Sequence, residues 1–108
     1  MSVEQKNIID IISIDKNDCV VLTISDHLEW DEANEHLLIL QDKINRYLGA
    51  IETGELYETY PKARGRQIIV RIVSLYSPSS DGLIFLEKTK NILESAGYKF
   101  HFEHKIAE

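Results

Sequence analysis

The sequence predicts an α+β domain. The expected form is a two-layer sandwich in the order β-β-α-β-α-β, with a four-stranded mixed sheet ordered 1-2-3-4 and two helices on one face. Three observations carry this. Short β-branched runs alternate with longer stretches of helical period. Only turn residues separate the first two runs, so these form an antiparallel hairpin. Each later run is reached through a helix, so it lies parallel to its predecessor, and right-handed crossovers stepping the same way put both helices on one side.

Residues 8–14, Ile-Ile-Asp-Ile-Ile-Ser-Ile, form the first strand, and Asp15, Lys16, Asn17 and Asp18 make the turn. The second strand covers residues 19–25. Val20, Leu22 and Ile24 share one face; Cys19, Val21, Thr23 and Ser25 share the other. The longest element spans residues 30–53. Trp30, Ala33, Leu37, Leu40, Ile44, Tyr47 and Ile51 recur at helical spacing, widened by Leu48, with Asp31 as N-cap and Gly54 as terminator. Residues 55–65 read as a tyrosine-bearing, partly basic connection. The third strand occupies residues 66–74, with Ile68, Val70 and Ile72 on its apolar face. Ser77 then caps a second helix with Pro78 at its first position. Its buried stripe is Phe85, Leu86, Ile92, Leu93 and Ala96, and Gly97 ends it. Tyr98, Phe100 and Phe102 alternate with Lys99, His101 and Glu103 in the last strand.

The chain of 108 residues is expected to be one domain, residues 1–108, large enough to bury a core without staples. Residues 1–7 show no signal-peptide pattern, and no apolar run approaches the roughly 20 residues of a membrane span. The expected location is the cytoplasm, with no membrane partner. The net charge of −6 disfavours nucleic acid, whose binding relies on Lys and Arg neutralising phosphates. The charge is unevenly placed. Asp26, Glu29, Asp31, Glu32 and Glu35 form an acidic stretch; Lys62, Arg64, Arg66 and Arg71 form a basic one. Dipole complementarity at a helix start and a solvated loop are the ordinary explanations.

Motifs for chemistry are absent. The four histidines, His27, His36, His101 and His104, show no zinc-type spacing. Glu32 and His36 are four apart on the expected helix, which reads as a surface pair. The single cysteine, Cys19, lies among aliphatics, where thiols are inert. There is no nucleophile elbow, Walker loop or dinucleotide fingerprint, so no catalytic residue, metal or cofactor is assigned.

Two places carry more than structure needs. Tyr57, Tyr60, Lys62, Arg64 and Arg66 interleave aromatics with bases, in the manner of a binding loop. Tyrosines packed over the end of the core explain the same residues. The sheet face without helices would carry Cys19, Val21, Thr23, Ile69, Arg71, Val73, Lys99 and His101. Of these, Val21, Ile69, Arg71, Val73 and His101 form the candidate interaction surface.

Residues 22–30 (Leu-Thr-Ile-Ser-Asp-His-Leu-Glu-Trp), 35–43 (Glu-His-Leu-Leu-Ile-Leu-Gln-Asp-Lys) and 54–61 (Gly-Glu-Leu-Tyr-Glu-Thr-Tyr-Pro) resemble segments of a small bacterial single-domain family of unknown function. The resemblance covers nearly the whole chain. It implies a stand-alone bacterial cytoplasmic protein and supplies no activity or site residue. The expected function is a non-enzymatic interaction module: a homodimer, or an acidic partner of immunity type that meets a basic protein. The alternative is a small-molecule binder or enzyme using residues 57–66, on the rule that ligands lie outside the carboxyl ends of parallel strands.

Overall fold

A computed structural model of the chain describes residues 11–105. The expected strand residues 8–10 and the N-terminal residues 1–7 lie outside the described residues. Along the chain, β1 (Ile11–Ile14) and β2 (Val20–Asp26) precede α1 (Glu35–Glu52), a short α2 (Glu55–Thr59) and a 3₁₀ turn (Pro61–Ala63). Then come β3 (Ile68–Ser74), α3 (Ser80–Ser95) and β4 (Lys99–His104). The sheet order is β1-β2-β3-β4, as expected. β1 and β2 pair antiparallel, while β2–β3 and β3–β4 pair parallel.

The hairpin turn follows from its acids. Asp15 Oδ1 accepts from the N–H of Asn17 and of Cys19, both at 2.9 Å. Asp18 takes the left-handed conformation, φ 64°, that Asp tolerates. The core forms where the inward strand residues meet the helices. Val20, Leu22 and Ile24 on β2 and Val70 and Ile72 on β3 have no exposed surface, nor do Leu40 on α1 and Leu93 on α3. The alternation along β3 is regular: Ile68, Val70, Ile72 and Ser74 are buried, with Ile69, Arg71 and Val73 half-exposed between them. β2 breaks the pattern. Val21 and Thr23, expected on an exposed face, are buried. β2 is an inner strand, so Val21 lies between Ser13 and Ile69 in register, and Thr23 between Ile11 and Arg71.

The helices also depart from expectation at their starts. α1 begins at Glu35, not at residue 30, so Trp30 and Ala33 belong to the segment leading into it. Its buried stripe is His36, Leu40, Lys43, Ile44, Tyr47 and Ile51, and Leu37 is only half-buried. Lys43 is fully buried in that stripe; among its contacts, Nζ lies 5.5 Å from the centroid of the Tyr47 ring. Residues 55–65, expected as a tyrosine-bearing, partly basic connection without clear period, contain α2 and the 3₁₀ turn. α3 is capped by Ser79, whose Oγ accepts from the Gly82 N–H at 3.0 Å, rather than by Ser77. Its buried residues are Gly82, Leu86, Thr89 and Leu93, with Phe85 half-buried; Ile92 and Ala96 are exposed. Gly54 (φ 87°) and Gly97 (φ 93°) follow α1 and α3 in the left-handed conformation that favours glycine.

Gly49 sits in the exposed interior of α1 with nothing within 4 Å of the position a Cβ would take. Gly49→Ala therefore stabilises the fold, by about 0.5–1 kcal/mol, because it removes the entropic penalty of a helical glycine. A higher urea midpoint at unchanged m-value is the expected result.

Candidate functional site

Tyr57 is on α2, Tyr60 follows that helix, and Lys62 is in the 3₁₀ turn. Both tyrosines are partly buried against the core. The Arg64 guanidinium lies 5.6 Å from the Tyr57 ring centroid. Arg66 Nε donates to the Lys62 carbonyl (2.8 Å) and Nη1 to the Asp18 carbonyl (3.2 Å). Burial, followed by the charges of Glu52 and Tyr57, holds the nearby Tyr98 hydroxyl above the usual tyrosine range. This loop enters β3 at its amino end. The rule that places ligands beyond the carboxyl ends of parallel strands thus points to the other end of the sheet.

On the open face, Ile69, Arg71, Val73 and His101 remain at least partly accessible, while Val21 is covered. Arg71 Nη2 donates to Glu103 Oε2 at 2.6 Å, across neighbouring strands. That bond, followed by the attraction of the Arg71 charge, holds the Glu103 carboxyl below its usual range. Asp15, Val21, Ile69, Arg71, Lys99, Phe100 and His101 line a shallow depression of about 350 Å³ here.

The most elaborate chemistry lies at the carboxyl ends of β2 and β3, where Asp26 and Ser74 stand side by side in register. Asp26 is in phase with Val20, Leu22 and Ile24, so the strand drives its carboxylate into the core. A buried charge requires a partner, and His36, on the first turn of α1, supplies it. His36 Nε2 lies 2.8 Å from Asp26 Oδ1 and 2.6 Å from Oδ2. A carboxylate only accepts, so Nε2 carries the donated proton. Asp26 Oδ1 also accepts from the Leu28 N–H at 3.2 Å. His36 Nδ1 is buried and has no hydrogen-bond partner among the described residues. Ser74 Oγ donates to the Tyr76 carbonyl at 2.9 Å and steers the chain out of β3.

Trp30 covers this pair. Its ring centroid lies 4.3 Å from that of His36, tilted by 60°. Its Nε1 reaches the Tyr76 carbonyl at 3.4 Å. Its far edge rests on Gly82 so closely that a Cβ there would stand 2.7 Å from Cε3 and Cζ3. Asn34 Nδ2 donates to Asp81 Oδ2 at 3.0 Å, again joining the start of α1 to the start of α3. Glu29, Trp30, Tyr76, Ser77 and Ser79 line an open depression of about 300 Å³ above.

Asp31 fixes the α1 start. Oδ2 accepts from the Glu35 N–H (3.1 Å) and Oδ1 from the His36 N–H (3.0 Å). These bonds, that from His36 first, hold its carboxyl below the usual 3.8. A carboxyl depressed in the folded state contributes stability that is complete above its unfolded value and is lost as pH falls through its folded value. The urea midpoints of the wild type and Asp31→Ala are therefore expected to differ at pH 7, and to converge as the pH is taken below 3.8.

A family model matches residues 1–106, essentially the whole chain. The chain belongs to the family of unknown function DUF6572. No curated protein and no solved structure matches it. The match bears out the small family of unknown function that the sequence resembles. The described part of this DUF6572 chain has no group of three or more His, Cys, Asp or Glu residues arranged to hold a metal ion. No described helix is long and apolar enough to cross a membrane.

Sequence spacing pairs His36 with Glu32 and does not show the Asp26–His36 pair of this DUF6572 chain. The missed signal is the phase of Asp26: an acid in register with three core aliphatics requires a buried partner. Once α1 starts at Glu35, His36 stands one turn before Leu40 and two before Ile44, on the same stripe. Both carboxylate oxygens are spent on the histidine, and Trp30 lies over it. The pair acts as a lock between β2 and α1, under an outer surface of aromatic and acidic groups.

Proposed function

We propose that this chain is a non-enzymatic, cytoplasmic protein-interaction module that recognises a basic partner segment at the carboxyl end of its sheet. One observation carries the reading. The half-buried Trp30 and the exposed Tyr76 line a depression together with the exposed Glu29, and the exposed Glu32, Glu35, Leu75 and Asp81 lie within a few residues of that lining along the chain. An apolar centre with a charged rim is the anatomy of a docking site. Aromatic anchors supply affinity at such sites, and a rim of one sign steers and orients the opposite sign. The net charge of −6 supports the same partner sign. The Asp26–His36 lock supports structural rather than catalytic work for the only buried acid–histidine contact among the described residues.

The test uses peptides rich in Lys and Arg with one apolar residue, with acidic peptides as controls, titrated into isotopically labelled protein. Basic peptides are expected to shift the Trp30 indole and Tyr76 signals, with affinity falling as salt rises. The triple variant Glu29→Gln/Glu32→Gln/Glu35→Gln is expected to bind at least about tenfold more weakly. Shifts confined to other surfaces, or equal binding by the triple variant, would count against the reading.

A further inference from the structure

Among the described residues, β4 forms one edge of the sheet and pairs with β3 alone, in the order β1-β2-β3-β4. An edge strand presents backbone donors and acceptors that other strands can use. Which residues present them is fixed by the β3 ladder. The Lys105 N–H donates to the Ser74 carbonyl at 2.8 Å. Residues 99, 101, 103 and 105 thus direct their backbone groups toward β3, and Phe100, Phe102 and His104 direct theirs outward. The side chains of Lys99 and His101 are exposed, and those of Phe100, Phe102 and Glu103 are half-exposed.

We propose that β4 pairs antiparallel with β4 of a second copy, about a two-fold axis through His101. Three features select that partner and register. First, the outward backbone groups of Phe100 meet those of Phe102 in the other copy as a hydrogen-bonded pair, and His101 faces His101 as a non-hydrogen-bonded one. Second, Lys99 then stands opposite Glu103 of the other copy, twice, by symmetry. These are non-hydrogen-bonded positions, where side chains lie closest. Third, Phe100 and Phe102 form an aromatic row along the helix side of the junction. Moving the axis to Phe102 sets Lys99 against Lys105, and moving it to Phe100 sets Lys99 against His101. Charges on an edge deter pairing with an arbitrary strand. Here their spacing favours the strand's own reversed copy, an isologous contact that closes on itself. The result is one continuous sheet across both copies, with the two open faces side by side.

Sedimentation equilibrium tests this. The wild type is expected to dimerise, and Lys99→Glu, at an exposed position, to weaken the dimer about tenfold or more. Glu103→Lys is expected to weaken it similarly. Mixing the two variants is expected to restore association, because both Lys–Glu contacts re-form in the mixed dimer. In a Cys19→Ser background, His101→Cys is expected to give a disulfide-linked dimer under mild oxidation, since the two positions face each other across the axis. A wild type that stays monomeric up to about 1 mM overturns the proposal. So does a dimer that Lys99→Glu leaves as tight as before.

Discussion

Replacing His36 with leucine is expected to lower stability by about 3–5 kcal/mol, the largest effect of any single change considered. The side chain of His36 is 3% exposed and that of Asp26 has no exposed surface. Removing the imidazole strands a carboxylate in the core, with the Leu28 N–H as its remaining donor among the described residues. Against a total of about 5–15 kcal/mol for a typical domain, that is a large fraction. Asp26→Leu leaves no carboxylate in the core, so its cost is smaller. The double variant Asp26→Leu/His36→Leu, which removes both members of the pair, is expected to recover part of the stability lost in His36→Leu, the rest being held back by the larger volume of two leucines. Urea unfolding of the four proteins closes the cycle. Equal stability of His36→Leu and wild type would show that the pair is not the lock described above.

Gly82→Ala is expected to destabilise the protein by about 1–3 kcal/mol, opposite in sign to Gly49→Ala. Both glycines are helical, and propensity alone predicts a gain of up to about 1 kcal/mol at each. The difference lies in their neighbours. Open space surrounds Gly49, whereas the added methyl at Gly82 would stand 2.7 Å from two carbons of the Trp30 ring. Moving the ring disturbs its contact with His36, 4.3 Å away, and its bond to the Tyr76 carbonyl. Trp30 is the single tryptophan, so its fluorescence reports the displacement directly. A red-shifted emission with a lowered urea midpoint is expected. Trp30→Leu in the Gly82→Ala background relieves the clash, so the two changes cost less together than their sum.

The sheet was legible from period and punctuation. Alternation in residues 19–25 and 66–74 placed the inward residues correctly, and the strand order follows from a hairpin and two parallel steps in one direction across the sheet. The turn acids, Gly54 and Gly97 acted as expected, since their roles depend on local backbone chemistry. The helix starts were less legible. Trp30 and Ala33 continue the helical spacing by coincidence, and Asp31 caps α1 from four residues before its first helical residue, reaching forward across a left-handed Asn34. A cap offset of this kind lies outside the usual N-cap spacing, so the helical period alone does not reveal it. The same gap hid the site. Asp26, His36, Trp30 and Gly82 meet only after β2, α1 and α3 have packed, so their relation is absent from any short window. The loop at residues 57–66 drew attention through composition, but its position before β3 puts it at the amino end.

The Trp30 clamp also bears on the time course of folding. Its bond to the Tyr76 carbonyl joins residues 46 apart in sequence, and that between Asn34 and Asp81 joins residues 47 apart. Long closures carry an entropic cost that local contacts do not, so they form late along the folding route. Contacts absent from the transition state govern escape from the native state rather than entry into it. Loosening the clamp with Gly82→Ala is therefore expected to steepen the loss of native protein over time while leaving the refolding rate nearly unchanged. In a stopped-flow chevron, the unfolding limb would rise and the folding limb would stay in place. The tryptophan that holds the two helix starts together would then set how long the native state persists.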